Sequence, residues 1–519
     1  MFEHRDPTTY AKAIETAARR WREQLDAITT DAEDVTAEAL QLVRAPEILE
    51  GWARLIQEKD RAIGAIDEFP ELAEQVIRLT LIADETSRGI GISADNKTEH
   101  GSEPSKFLSI ADQALVDNEL RSFCWDVPPE ALCVLGKQHT PVKGATFRSL
   151  SHHLALYHPS EIEARWFNAI PTKVDQHPLP RGLNLLLLPW PIEVETNDFQ
   201  EVAPGGKRAD DSEPPGYFRY HPKETDDPAT FEQKLNKAFE KARQHAGPID
   251  AIVLPELALN ELQYKFAERI AFEACTILIC GLRPDSPAEG EWDSNVCILQ
   301  AAGAVHGADP EADAREDLLS DLYLKQAKHH RWYLDRAQIV NYQLAGGLPA
   351  SRGAWEHIDL PDRLLHFVTL NPITWAVLIC EDLARQEPAA KLIRAVGPNL
   401  LIALLMDGPQ LSNRWPARYA AVLAEDPGTS VLTLTSLGMA ERSRPIVQSG
   451  QRAPASRVIA LWRDAIEGEI QIALDPDHDA CVLSLEYQKR TESKNARKIR
   501  RLGSPGNLRR RGSSEPESR

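Results

Sequence analysis

Three ionisable side chains stand where apolar runs give way to polar sequence. Glu256 closes IDAIVLPEL, Lys325 lies within LYLKQAKHH, and Cys380 closes WAVLICEDL. An ionisable group at the end of a buried strand is displayed at the rim of its sheet, where open α/β folds bind ligands. Taken singly, each has an ordinary structural explanation: a Pro-Glu dipeptide, a solvated lysine, a packed cysteine. Taken together they supply a thiol and the two things a thiol needs. A free cysteine titrates near ~8.5, so it becomes a nucleophile at neutral pH only beside a base or a positive charge.

The order and surroundings of these residues resemble the nitrilase superfamily, the carbon–nitrogen hydrolases. VLPELAL is similar to that family's glutamate motif, YLKQAKHH to its Tyr-x-Lys motif and ICEDL to its cysteine motif. ICEDL is especially similar to the version in the glutaminase part of glutamine-dependent NAD synthetases. ILICGL and SNVCILQAAGAV resemble the strands that precede the lysine, and MDGPQLSNRWPARYAAVLAE the Trp-bearing helix that follows the cysteine. The resemblance runs from about Leu183 to Glu486.

It implies a catalytic set of Glu256 as base, Lys325 as the cation and Cys380 as nucleophile, with Asp382 in support. Lys325 and the backbone N–H of Glu381 would face the oxyanion formed when the thiol attacks an amide. The activity implied is hydrolysis of a non-peptide C–N bond, an amide ahead of a nitrile, through an acyl-thioester. No cofactor and no metal enter it. Sixty-nine positions separate Glu256 from Lys325 and 55 separate Lys325 from Cys380. The second interval is longer than the family's habit and places an insertion around Gly346 to Asp362. Lys328 rivals Lys325, and Tyr323 favours Lys325. Asp335 and Glu356 are candidates for the family's further glutamate, and His329 or His330 for its histidine. Family members commonly pair sandwich to sandwich, which implies a homodimer or larger homo-oligomer.

These residues need elements to hold them, and the chain has room for two or three domains: 519 residues and 57.9 kDa. The texture predicts an α/β fold, an α-β-β-α sandwich of the nitrilase kind preceded by a mostly helical domain. The expected divisions are residues 1–122, helical; 123–182, a basic and His-rich linking segment; 183–488, the sandwich; and 489–519, a basic, disordered tail. LNLLLLPWPIEV and NLLIALLM read as strands buried on both faces. A helix is expected from Asp227 to His245 with Phe231, Leu235, Ala238 and Ala242 on one face. The polar stretch from Phe199 to Gly216 reads as a lid or disordered insertion, and DPDHDA (Asp475 to Ala480) as a hairpin turn.

Composition removes other classes. Apolar residues make up 42% and charged residues 26%, the balance of a globular protein, and no apolar run is long enough to span a bilayer. Seven cysteines without a Cys-x-x-Cys pair argue against a disulfide framework or a zinc ribbon and fit a reducing, cytoplasmic setting. Adjacent histidines, as at His152–His153 and His329–His330, diverge and make poor paired ligands. There is no Walker phosphate loop, no dinucleotide fingerprint and no Ser-Gly-Gly-x-Asp-Ser pyrophosphatase loop, so the chain is not a complete NAD synthetase. Residues 489–519 hold 11 Lys/Arg against three acidic residues, a local +8 that leaves −27 on the rest of a chain whose total is −19. So acidic a body repels phosphate, while the tail offers a surface for nucleic acid or a protein partner.

KQHTPVKGATFRSLSHHLALY is similar to a stretch that accompanies nitrilase-like domains in prokaryotic antiphage reverse-transcriptase proteins, although no Tyr-x-Asp-Asp polymerase motif is present. Two alternatives to hydrolysis therefore stay open. One is a sensing or defence-associated module coupled to a partner through the helical domain. The other is acyl transfer to a soluble amine.

Overall fold

The computed structural model describes residues 12–20, 46–58, 60, 68–87, 133–137, 151–157, 162–170, 182–202, 215–222, 228–283, 291–301, 304–306, 322–361, 363–370, 373–448, 450–489 and 505–510. Two large sheets face one another. The first has seven strands in the order Leu322–Ala327, Val296–Ala301, Ile277–Leu282, Ala251–Val253, Gly182–Leu187, Cys481–Lys489 and Pro505–Arg510. The second has eight: Ala304–His306, Glu163–Ile170, Leu364–Leu370, Ile373–Ile379, Leu400–Leu405, Ser430–Thr435, Val458–Asp464 and Gly468–Ala473.

The two-residue alternation of a strand explains the layers. Along one run, Leu185 and Leu187 turn into the space between the sheets with Val253, Ile279 and Leu299. Leu186 and Leu188 turn outward onto the helices Pro228–Ala246 and Glu261–Glu273. On the outer side of the second sheet lie Lys391–Val396 and Trp415–Glu425, contributing Leu392, Ile393, Ala420 and Leu423. The result is the α-β-β-α sandwich expected from the sequence. The helix Pro228–Ala246 buries Phe231, Leu235 and Ala242 as expected, with Phe239 in place of Ala238, because the larger side chain at that turn reaches the core.

Strands border the first insertion and one lies within the second. Phe199–Val202 and Gly216–Tyr220 flank the first, and Ala354–Glu356 lies in the second. With Tyr333–Leu334 they form a third, four-stranded sheet, so the first insertion is bounded by strands rather than being wholly a lid; residues 203–214 lie outside the described residues. Asp475 to Ala480 joins strands of different sheets and is a crossover between layers, not a hairpin turn. Within the tail, Pro505–Arg510 adds an edge strand antiparallel to Cys481–Lys489.

Toward the N-terminus, helices cover 12–20, Pro46–Gln57 and Pro70–Thr86, and Ile14, Ala17 and Ala18 pack with Ile82. Asp84 takes the backbone N–H groups of His152, His153 and Leu154 at 2.7, 2.9 and 2.9 Å, tying this layer to the hairpin of Cys133–Gly136 and Leu154–Tyr157. The loop expected from Ser93 to Ser105 and most of the segment between the hairpin strands lie outside the described residues. Among the described residues no helix is long and apolar enough to cross a membrane.

Candidate active site

Strand Ile373–Ile379 is wholly buried and runs directly into Cys380. Cys380 has φ 44° and ψ −106°, a conformation that L-residues with a Cβ avoid, and it caps the short helix Glu381–Ala384. Its N–H donates to Leu404 O at 2.8 Å on the neighbouring parallel strand. A strained strand-to-helix turn of this kind persists only where its surroundings over-determine it, and it concentrates at functional sites.

Glu256 is placed by a similarly tight turn. Leu257, next to it, has φ 52°. The neighbouring strand supplies Gly281, where a Cβ would lie 2.5 Å from Pro255 O and 2.6 Å from Glu256 Cα. Only a residue without a side chain lets the glutamate turn press this closely. The Gly281 N–H donates to Pro255 O at 3.1 Å and completes the fit.

Lys328 meets this glutamate. Its Nζ donates to Glu256 Oε1 at 2.7 Å and to Glu356 Oε2 at 2.6 Å, with the lysine side chain wholly buried. Asn295 Nδ2 bridges the same two carboxylates, at 2.7 Å to Glu256 Oε1 and 2.8 Å to Glu356 Oε1. The Trp332 N–H holds Glu356 Oε2 at 3.0 Å. Glu256 Oε2 is buried with no hydrogen-bond partner among the described residues.

Burial pushes Glu256 up; Lys328 opposes that and Glu356 adds to it. Burial alone would depress Lys328, but the carboxylates of Glu256 and Glu356, with Cys380, outweigh it and hold the ammonium well above its ordinary range. Burial also lifts the Cys380 thiol, Glu256 adding to the effect and Lys328 working against it. The resting thiol is therefore protonated, beside a basic carboxylate and a permanent cation.

The structure differs from the sequence reading at the lysine. Lys325 is exposed on the edge strand Leu322–Ala327, paired with Ile298, and makes no ion pair with Glu256. The rival, Lys328, lies just past the end of that strand, where its N–H donates to Asn295 O at 2.9 Å and its side chain turns inward. The physical reason is period: three residues along a strand reverse the face, and leaving the strand frees the side chain to point along the rim.

Of the two acidic candidates, Glu356 joins the cluster. Asp335 instead caps the helix Arg336–Asn341 through Gln338 N at 2.7 Å. Asp382 is fully buried and receives His329 N at 3.1 and 3.0 Å and His330 Nδ1 at 2.9 Å. The Glu381 side chain pairs with Arg385 at 2.6 Å on the helix exterior. Asn295 escaped the sequence reading as a functional residue, although its place at the head of a strand, level with Lys328, is the signal that could have found it.

A depression lined by Phe218, Arg219, Leu257, Asp293, Glu356 and His357 reaches the cluster from the side of the third sheet. Among the described residues no group of three or more His, Cys, Asp or Glu is arranged to hold a metal.

No protein-family model and no curated protein matches this chain. Among solved structures it is similar to an amidase from Nesterenkonia sp., at 12% identity over 60% of this chain and 94% of that one, with a TM-score of 0.33. It is also similar to Saccharomyces cerevisiae Nit3, a member of branch 10 of the nitrilase superfamily, at 14% identity over 60% and 94%, TM-score 0.32. A carbon-nitrogen hydrolase from Helicobacter pylori G27 is similar at 12% identity over 56% and 86%, TM-score 0.32.

Proposed function

We propose that this chain is a cysteine-dependent hydrolase of a non-peptide C–N bond, of the nitrilase kind, with Glu256, Lys328 and Cys380 as its catalytic residues and Glu356 holding Lys328. The observation that carries the reading is the buried ammonium of Lys328 clamped between Glu256 and Glu356 and facing the thiol of a strained strand-to-helix turn. A packing role alone has no use for two carboxylates, an ammonium and a thiol in one desolvated place, since such burial is costly.

In the reaction, Cys380 Sγ attacks the amide carbon while Glu256 Oε2 takes the thiol proton. The carbonyl oxygen becomes an oxyanion facing Lys328 Nζ and the backbone N–H of Glu381. Glu256 then gives its proton to the departing amine, leaving an acyl-thioester. It next takes a proton from water, whose oxygen attacks the thioester and releases the acid and the thiol. A carboxyl group raised by burial suits this relay, because it must hold a proton between steps. An amide fits better than a nitrile for the same reason: its leaving amine has to be protonated.

Intact-mass spectrometry tests this. Acylation by simple amides, or labelling by iodoacetamide, is expected at Cys380. Glu256→Gln and Lys328→Met should suppress it and Lys325→Met should leave it intact. An inert Cys380 beside reactive control thiols would sink the hydrolase. Added soluble amines that divert the acyl group into new amides would identify transfer in place of hydrolysis.

A further inference from the structure

Asp407 lies just beyond strand Leu400–Leu405, the parallel neighbour of the strand that ends in Cys380. Ile379 is level with Leu404, so the two chains leave the sheet at the same edge and display Asp407 beside the nucleophile. Asp407 is only 2% exposed. Its Oδ1 accepts from Tyr342 OH and from Arg414 Nη2 at 2.6 Å, and Arg414 also donates to Tyr342 OH at 3.0 Å. Its N–H is taken by Thr435 Oγ1 at 3.1 Å. Oδ2, in contrast, is buried without a hydrogen-bond partner among the described residues.

A carboxylate held by two side chains on one oxygen and left open on the other is more than a strut for Arg414. An unpaired buried acceptor costs on the order of 1–3 kcal/mol, so it calls for an occupant. The surroundings say where that occupant would sit. Tyr342 and Met406 pack in one apolar cluster with Leu257, which follows Glu256, and with Trp332, whose N–H holds Glu356. The trio therefore borders both the catalytic carboxylates and the thiol.

We propose that Asp407 is the specificity-determining residue of this site, its open oxygen receiving a cationic N–H donor, an ammonium or amidinium, carried by the amide substrate. The inference rests on the hydrolase reading and adds its substrate class. The negative charge of Asp407 acts on Cys380 and works against the thiolate. A docked cation fills the vacant acceptor and cancels that opposition, so the substrate that fits also eases the formation of its own nucleophile. A neutral N–H donor would do only the first.

The test compares matched probes on the full chain: ω-amino carboxamides with one to four methylenes, and uncharged alkyl amides of the same length. Their ability to perturb iodoacetamide labelling of Cys380 is followed by mass, alongside thermal shift. In the wild type, one amino amide is expected to act at a concentration at least about tenfold below its neutral counterpart. In Asp407→Asn, which keeps the shape and the bonds at Oδ1, that preference should collapse. Equal potency of charged and neutral probes in the wild type overturns the proposal, as does an unchanged preference in a folded Asp407→Asn. If Cys380 is inert, the hydrolase reading fails while the thermal shifts still decide the subsite.

Discussion

Asp382 accepts the backbone N–H of His329 through both carboxylate oxygens, at 3.1 and 3.0 Å, and thereby ties the lysine segment to the helix that Cys380 caps. His329 follows Lys328 and Asp382 lies two residues past Cys380, so one buried carboxylate sets the spacing between ammonium and thiol. Asp382→Asn keeps a single acceptor and loses the charge that His330 also uses. A shift of about 1 Å in such a pair can cost about 10²-fold in rate. The expected outcome is a fall in kcat of roughly 10- to 100-fold with little change in KM, read from amide hydrolysis. An unaltered kcat would remove Asp382 from the positioning machinery.

The lysine exchange separates the two neighbours. Lys328→Met leaves two carboxylates buried without their cation, a loss of about 3–5 kcal/mol, and removes the proposed oxyanion donor, worth about 10²–10³ in kcat. Lys325→Met alters an exposed edge-strand residue and should change stability by no more than about 0.5 kcal/mol. Urea denaturation and turnover of both variants check this. Equal effects would reverse the assignment of the catalytic lysine.

Gly281→Ala probes the glutamate turn. The new Cβ meets backbone atoms of Pro255 and Leu257 at 2.5 Å, and backbone cannot swing aside as a side-chain tip can. Overpacking of this kind costs about 1–3 kcal/mol, and here the displaced group carries Glu256. A lowered melting temperature accompanied by slower Cys380 acylation is expected; lowered stability with full reactivity would show that the turn tolerates movement.

Asp250 gives a pH signature away from the site. Burial raises its carboxyl from 3.8 to about 6, partly offset by the N–H of Asn184. With the folded value above the unfolded one, the folded state holds the proton more tightly. The stabilisation is complete below about pH 4 and is lost as pH rises through about 6. Asp250→Asn should remove this component, so the stability difference between variant and wild type should grow between pH 4 and pH 6 and level off above. A pH-independent difference would mean that Asp250 is solvated in the folded protein.

The sandwich was legible because its strands are long and unmixed: LLIALL and ITWAVLI have few ways to be buried other than in a covered parallel sheet. Cys380 and Glu256 were legible for the same reason, each ending such a run. Lys328 was placed second to Lys325 by a local pattern, Tyr-x-Lys, although the strand ends at Ala327 and the residue past the end is the one shown at the rim. Glu356 was named beside Asp335 through the resemblance, but the third sheet that carries it could not be read from the pattern. Its strands span two to five residues, too few to reveal a period, and the pairing of Ala354 with Gly216 crosses more than a hundred positions. The open oxygen of Asp407 was likewise invisible, since it depends on Tyr342 arriving from a distant helix end.

The third sheet has a further consequence. Of the three charges that meet at Lys328, Glu256 and the lysine both follow strands of the seven-stranded sheet, while Glu356 comes from the appended layer. The cation is therefore balanced by a counter-ion on loan from a part that the sandwich core does not contain. Unseating that layer would leave Lys328 with one carboxylate instead of two and shift its field toward the thiol, so the firmness of a peripheral sheet acts as a dial on the reactivity of the sulfur.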